Sequence, residues 1–154
     1  PMFHNRAIVF ALDAIIRAQS GAEGYHWLFD PRLPGLLKDC RATGHFVFAL
    51  LDPSRFGLLL ADESEASELA DYLNHTLLLQ GGTPFDAIHV STDLSDPRPL
   101  WAWKRRFGFS LSSTTVVGYG APFTQLRRNA GLGGVHWSPN STDEIFRPSQ
   151  ILGF

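Results

Sequence analysis

Ala7-Ile8-Val9-Phe10-Ala11-Leu12-Asp13 is the stretch on which the fold turns. An unbroken apolar run closed by a carboxylate is the pattern of a strand buried on both faces whose carboxyl end meets a polar edge. Parallel sheets covered by helices bury strands that way. A second run of the same kind, Phe46-Val47-Phe48-Ala49-Leu50-Leu51, again ends in turn residues, Asp52-Pro53-Ser54. Between the two, Pro34 opens a helix, Leu33, Leu36, Leu37 and Cys40 recur at helical spacing, and Gly44 supplies a left-handed stop. Strand, helix and strand in that order predict a parallel pair joined by a crossover.

The alternation continues along the chain. Asp62 followed by Glu65 resembles a capping box, and Leu69, Tyr72, Leu73, Thr76 and Leu77 line one helix face until Gly81-Gly82 ends it. Phe85 to Val90 reads as a third strand, and Pro99 begins a helix with Leu100, Trp103, Lys104 and Phe107 on one face. Thr114 to Val117 forms a fourth strand running into Gly118-Tyr119-Gly120, Phe123 to Ala130 a short helix closed by Gly131, and Val135-His136-Trp137 a fifth strand. Only Arg17 to Asp30, polar and Gly-containing with Tyr25 and Trp27, breaks the pattern and reads as an excursion from the sheet edge. The fold class expected is α/β, a doubly wound, mainly parallel five-stranded sheet flanked by helices, with little or no cap. Its ligand crevice lies outside the carboxyl ends of the strands, where strand order reverses.

Composition bounds the function. The chain has 154 residues with 13 Lys plus Arg against 15 Asp plus Glu, which suits one domain over 1–154 and no polyanion-binding face. Nucleic acid is therefore not expected as a partner. Pro1 before Met2 reads as a tag remnant, and Ser138 to Phe154 as a polar tail. The longest apolar run falls far short of the roughly 20 residues that span a bilayer, so no membrane partner is expected. A single cysteine, Cys40, and an amino-terminal segment unlike a signal peptide point to a cytoplasmic protein. The histidines lack metal-ligand spacing, so no metal site and no cofactor are expected. Twelve Phe and four Trp are generous for this length, and a share of them is needed to fill the core. Trp101 and Trp103, two apart on a helix, cannot share one face, which leaves one of them exposed or covered by a protein partner or a second copy.

Four segments in this order resemble the haloacid dehalogenase superfamily, in its small, nearly capless histidinol-phosphate and heptose-bisphosphate phosphatase branch. They are Ala7 to Ile16, Phe29 to Leu37 leading into Gly44 to Phe48, Arg98-Pro99 before a helix, and Thr115-Val116-Val117-Gly118-Tyr119-Gly120 followed by Leu126 to Leu132. The resemblance implies a nucleophilic Asp, an acid two residues on, a hydroxyl and a base holding phosphoryl oxygens, and further acids holding magnesium. By that resemblance Ala11 stands at the nucleophile, which an alanine cannot serve, and Asp13 at the general acid/base. Leu51 replaces the hydroxyl residue. Asp52, Ser54 and Arg98 remain as substrate-binding candidates, and Tyr119 and Phe123 occupy the metal-binding positions. Moving the register so that Asp13 is the nucleophile puts Ile15 at the general acid and leaves the last motif empty.

Chemical positions are lost while scaffold residues remain. That asymmetry implies a non-catalytic family member acting by binding, to a protein partner, to itself, or to a small phosphorylated ligand in the former phosphate crevice. The alternative is a magnesium-dependent phosphatase of a small phosphorylated metabolite, with Asp13, Asp52 and Asp93 or Asp96 converging on one cation. A third reading makes Leu51, Tyr119 and Phe123 the floor of an apolar ligand pocket.

Overall fold

The computed structural model describes residues 6–11, 16–21, 24–29, 31–56, 60, 62–118, 121–133 and 136–137. The main sheet is parallel throughout and contains β1 (Arg6–Ala11), β4 (His45–Leu51), β5 (Ala87–Val90), β6 (Thr115–Val117) and β7 (His136–Trp137). Its strand order is β5-β4-β1-β6-β7. The chain builds outward from β1 on one side, then returns to build on the other, so strand order reverses at β1. That is the doubly wound topology expected from the apolar runs.

The strands read as continuous apolar runs because both faces are covered. Ile8 and Phe10 of β1, with Val47, Ala49 and Leu51 of β4, pack under α1 (Leu33–Ala42) and α2 (Glu63–Leu79) through Leu33, Leu37, Leu73 and Leu77. Ala7, Val9 and Ala11, with Phe48 and Leu50, pack on the opposite face under α3 (Arg98–Phe107) and α4 (Ala121–Ala130). Period-two alternation thus divides each strand between two cores. The second core is aromatic. Trp103 lies flat on Phe48, ring centroids 4.6 Å apart and 9° from parallel, with Phe107 and Phe109 against the same Phe48 ring.

Helix boundaries follow from capping chemistry. The Asp62 carboxylate accepts a hydrogen bond from the Glu65 amide at 3.0 Å, which satisfies one of the orphan amides at the start of α2. Gly44 (φ 82°) and Gly131 (φ 72°) follow α1 and α4 in the left-handed region, a conformation that side chains with a Cβ rarely adopt. Burial pushes the Cys40 thiol up to about 12, the state of an inert core residue on α1. At the amino edge of the sheet the Asp86 amide donates to the Val47 carbonyl at 2.8 Å, and its carboxylate accepts from the Val47 amide at 2.8 Å. The Arg41 guanidinium pairs with that carboxylate at 3.3 Å and donates to the Thr83 hydroxyl at 2.8 Å, tying the end of α1 to the entry of β5.

Two elements differ from the sequence expectation. The excursion after β1 is a β-hairpin, β2 (Ile16–Gly21) and β3 (Gly24–Phe29), antiparallel with Ile16 opposite Phe29 and Gly21 opposite Gly24. It forms a separate two-stranded sheet. On α2 the buried row is Leu73 and Leu77 with Leu69 packed beside it, while Tyr72 turns outward, 44 % exposed. Residues four apart share a face, whereas Tyr72 sits about 100° around the helix from Leu73. On α3, Lys104 is likewise exposed and Trp103 carries the packing.

Candidate functional site

The reversal of strand order at β1 places the candidate site beyond Ala11, between the ends of β4 and β6. The described residues at the strand ends are apolar: Ala11, Leu51, Val117 and Phe123 each have no exposed surface. Ala11 faces the α3/α4 core, and a Cβ built on Gly118 would stand 2.7 Å from the Ala11 Cβ and 3.2 Å from the Phe123 ring. The end of β6 is therefore pressed against Ala11 with the Phe123 ring beside it. That contact requires glycine at position 118.

Leu51 does not share this space. It faces the other core, under α1 and α2. A side chain with no exposed surface does not line a pocket, so Leu51 and Phe123 are core residues rather than the floor of an apolar ligand site. Asp13 and Tyr119 lie outside the described residues, as does the tail from 138 to 154.

The polar candidates sit one step further out, each held locally. At the end of β4 the Asp52 carboxylate accepts from the Ser54 amide at 3.0 Å and from its hydroxyl at 2.6 Å, a turn that uses both predicted residues on one another. The loop after β5 repeats the device, with Ser95 donating through its amide at 3.2 Å and its hydroxyl at 2.7 Å to Asp93. Asn129 of α4 donates to the Ser95 carbonyl at 3.1 Å and anchors that loop. At the start of α3 the Arg98 guanidinium grips Asp96 with Nε at 2.9 Å and Nη2 at 2.7 Å, and the Arg98 amide adds a bond of 3.0 Å. Sequence reasoning found Arg98 and overlooked Asp96 as its partner. The Asp96-Pro97-Arg98 spacing, a turn former just ahead of a helix, carried the signal.

These contacts set the electrostatics. Hydrogen bonds from the Arg98 side chain and amide hold the Asp96 carboxyl at about 2, below its ordinary value of 3.8. Burial pushes the His89 imidazole of β5 down, which the nearby Asp96 carboxylate partly opposes. Because the folded carboxyl value is depressed, the stability it contributes is present above 3.8 and is lost as the pH falls through about 2. Carbon-detected NMR of the carboxyl groups is expected to place the Asp96 midpoint near 2 and to return it to the ordinary range in Arg98→Ala. A wild-type midpoint in the ordinary range would show that the Arg98 grip is absent in solution.

Among the described residues, no three His, Cys, Asp or Glu side chains gather as a cation site. Among the described residues at the ends of β1 and β6 and the start of α4, Ala11, Val117, Gly118 and Phe123 offer no side-chain oxygen to a cation. Among the described residues, no helix is long and apolar enough to cross a membrane.

No family model and no curated protein matches this chain. Solved structures do. D,D-heptose 1,7-bisphosphate phosphatase from B. bronchiseptica, complexed with magnesium and phosphate, superposes with a TM-score of 0.61 at 15 % identity, covering 89 % of this chain and 93 % of that one. The corresponding phosphatase from Burkholderia thailandensis gives 0.57 at 16 % identity with the same coverage. This chain shares the fold of these two structures. The strand-end position of β1, where the resemblance implies a nucleophile, holds the methyl group of Ala11.

Proposed function

We propose that this chain uses the haloacid dehalogenase phosphatase fold as a non-catalytic scaffold and acts by binding. The observation that carries the reading is Ala11: it has no exposed surface and lies against the end of β6, so a methyl group fills the space where a nucleophile would need an open approach to phosphorus. An aspartyl-phosphate needs a carboxylate there, and an alanine cannot form one.

The alternative, a phosphatase with relocated acids, draws on Asp52, Asp93 and Asp96. Each of these carboxylates already accepts hydrogen bonds from a residue two positions on, from Ser54, Ser95 and Arg98 respectively. A phosphorylated ligand approaching Arg98 would compete with a carboxylate that grips it through two guanidinium nitrogens.

Thermal unfolding of the full chain with magnesium and orthophosphate together tests the reading. A ligand bound only by the folded state raises Tm in proportion to its occupancy. No rise beyond that produced by sodium chloride at matched ionic strength is expected. A concentration-dependent rise requiring both ions would show a working phosphate and magnesium site and overturn it.

A further inference from the structure

We infer that this chain self-associates head to tail, with α2 of one copy laid against α3 of the next. Two independent features converge on these helices. Among the described residues, the large apolar side chains left exposed are Tyr72 (44 %), Leu78 (51 %), Leu79 (76 %) and Trp101 (41 %), three on α2 and one on α3. The same helices carry opposite charge. From its cap onward α2 holds Asp62, Glu63, Glu65, Glu68 and Asp71 with no Lys or Arg, whereas α3 holds Arg98, Lys104, Arg105 and Arg106 with no acid.

The apolar and charged groups interleave on each side. Glu68, Tyr72 and Leu79 fall in one row on α2, with Asp71 and Leu78 in the next, by the three-and-four spacing of a helix surface. On α3, Trp101, Lys104 and Arg105 line a cavity of about 350 Å³ together with Leu111. An acid-flanked apolar row fits a base-flanked aromatic groove, where an apolar centre supplies affinity and the charges supply register.

Both helices belong to one chain, yet they cover opposite faces of the sheet, one under each core, so they meet only between copies. Two different patches in contact make a heterologous interface, which closes into a ring or propagates as a filament. The surface is separate from the strand-end crevice, so this inference and the non-catalytic reading can fail separately.

Sedimentation velocity of the full chain tests it with two charge-reversed variants, Lys104→Glu with Arg105→Glu, and Glu68→Lys with Asp71→Lys. The substituted positions are solvent-exposed, and circular dichroism checks that both variants fold. The wild type is expected to grow with protein concentration and to dissociate in about 1 M salt, where the screening length falls to about 3 Å. Each variant alone is expected to associate at least about tenfold more weakly, since like charges would then face one another. Mixing the two sets acid against base at both contacts, intact α2 against intact α3 and reversed α2 against reversed α3, and is expected to restore association that neither variant shows alone. A wild type that stays monomeric at every concentration, association that survives both reversals, or a mixture that fails to pair would each overturn the inference.

Discussion

Ala11→Asp, which places a carboxylate at the end of β1, is expected to cost about 3–5 kcal/mol of stability and to confer no hydrolysis. A buried charge without a partner costs that much because desolvation is uncompensated. Here position 11 has no exposed surface and belongs to an apolar cluster with Phe123, Val116 and Leu126. The carboxyl would escape part of the cost by holding its proton, leaving it a poor nucleophile at neutral pH. Against a total stability of about 5–15 kcal/mol, a change of that size leaves a marginal fold. Urea denaturation reads the effect as a fall in midpoint at constant slope. A variant as stable as the wild type would mean that the strand end is open and the packing around Ala11 is not as described.

Trp103→Ala is expected to cost about 3–5 kcal/mol, the range for removing a large aromatic from a packed core. Trp103 is 8 % exposed and stacks on Phe48, which also meets Phe107 and Phe109, so its loss leaves a void under α3 that rigid rings fill poorly. Trp101→Ala, two residues away and 41 % exposed, is expected to change monomer stability by no more than about 0.5 kcal/mol. Equal costs at the two positions, measured by urea denaturation at low protein concentration, would contradict the assignment of Trp103 to the core and Trp101 to the surface.

That division was legible beforehand, because residues two apart on a helix point in different directions; which tryptophan faced inward was not. The apolar runs at Ala7 and Phe46 announced doubly buried strands, and the structure pairs them in parallel as β1 and β4. The hairpin Ile16–Gly21 and Gly24–Phe29 was missed although Ile16, Arg17, Ala18 and Gln19 alternate. Its glycines and polar residues read as a loop because, among the described residues, its strands pair only with each other. Residue types at the site were legible, since Ala11, Leu51 and Phe123 are visibly unable to do phosphoryl chemistry. Their placement was not. Leu51 and Ala11 were expected at one crevice, yet period-two alternation sends them to opposite cores. Local pairings such as Asp52 with Ser54 and Asp96 with Arg98 depend on turn geometry that strand and helix patterning leaves open.

The central proposal is that this chain, though it shares the fold of phosphatases, does not transfer phosphoryl groups. Phosphate release from an aryl phosphate by the wild-type chain, with and without magnesium, tests it most directly, with Asp13→Ala assayed in parallel. The account predicts a rate equal to that of buffer for both proteins under both conditions. Magnesium-dependent turnover by the wild type that disappears in Asp13→Ala would contradict it.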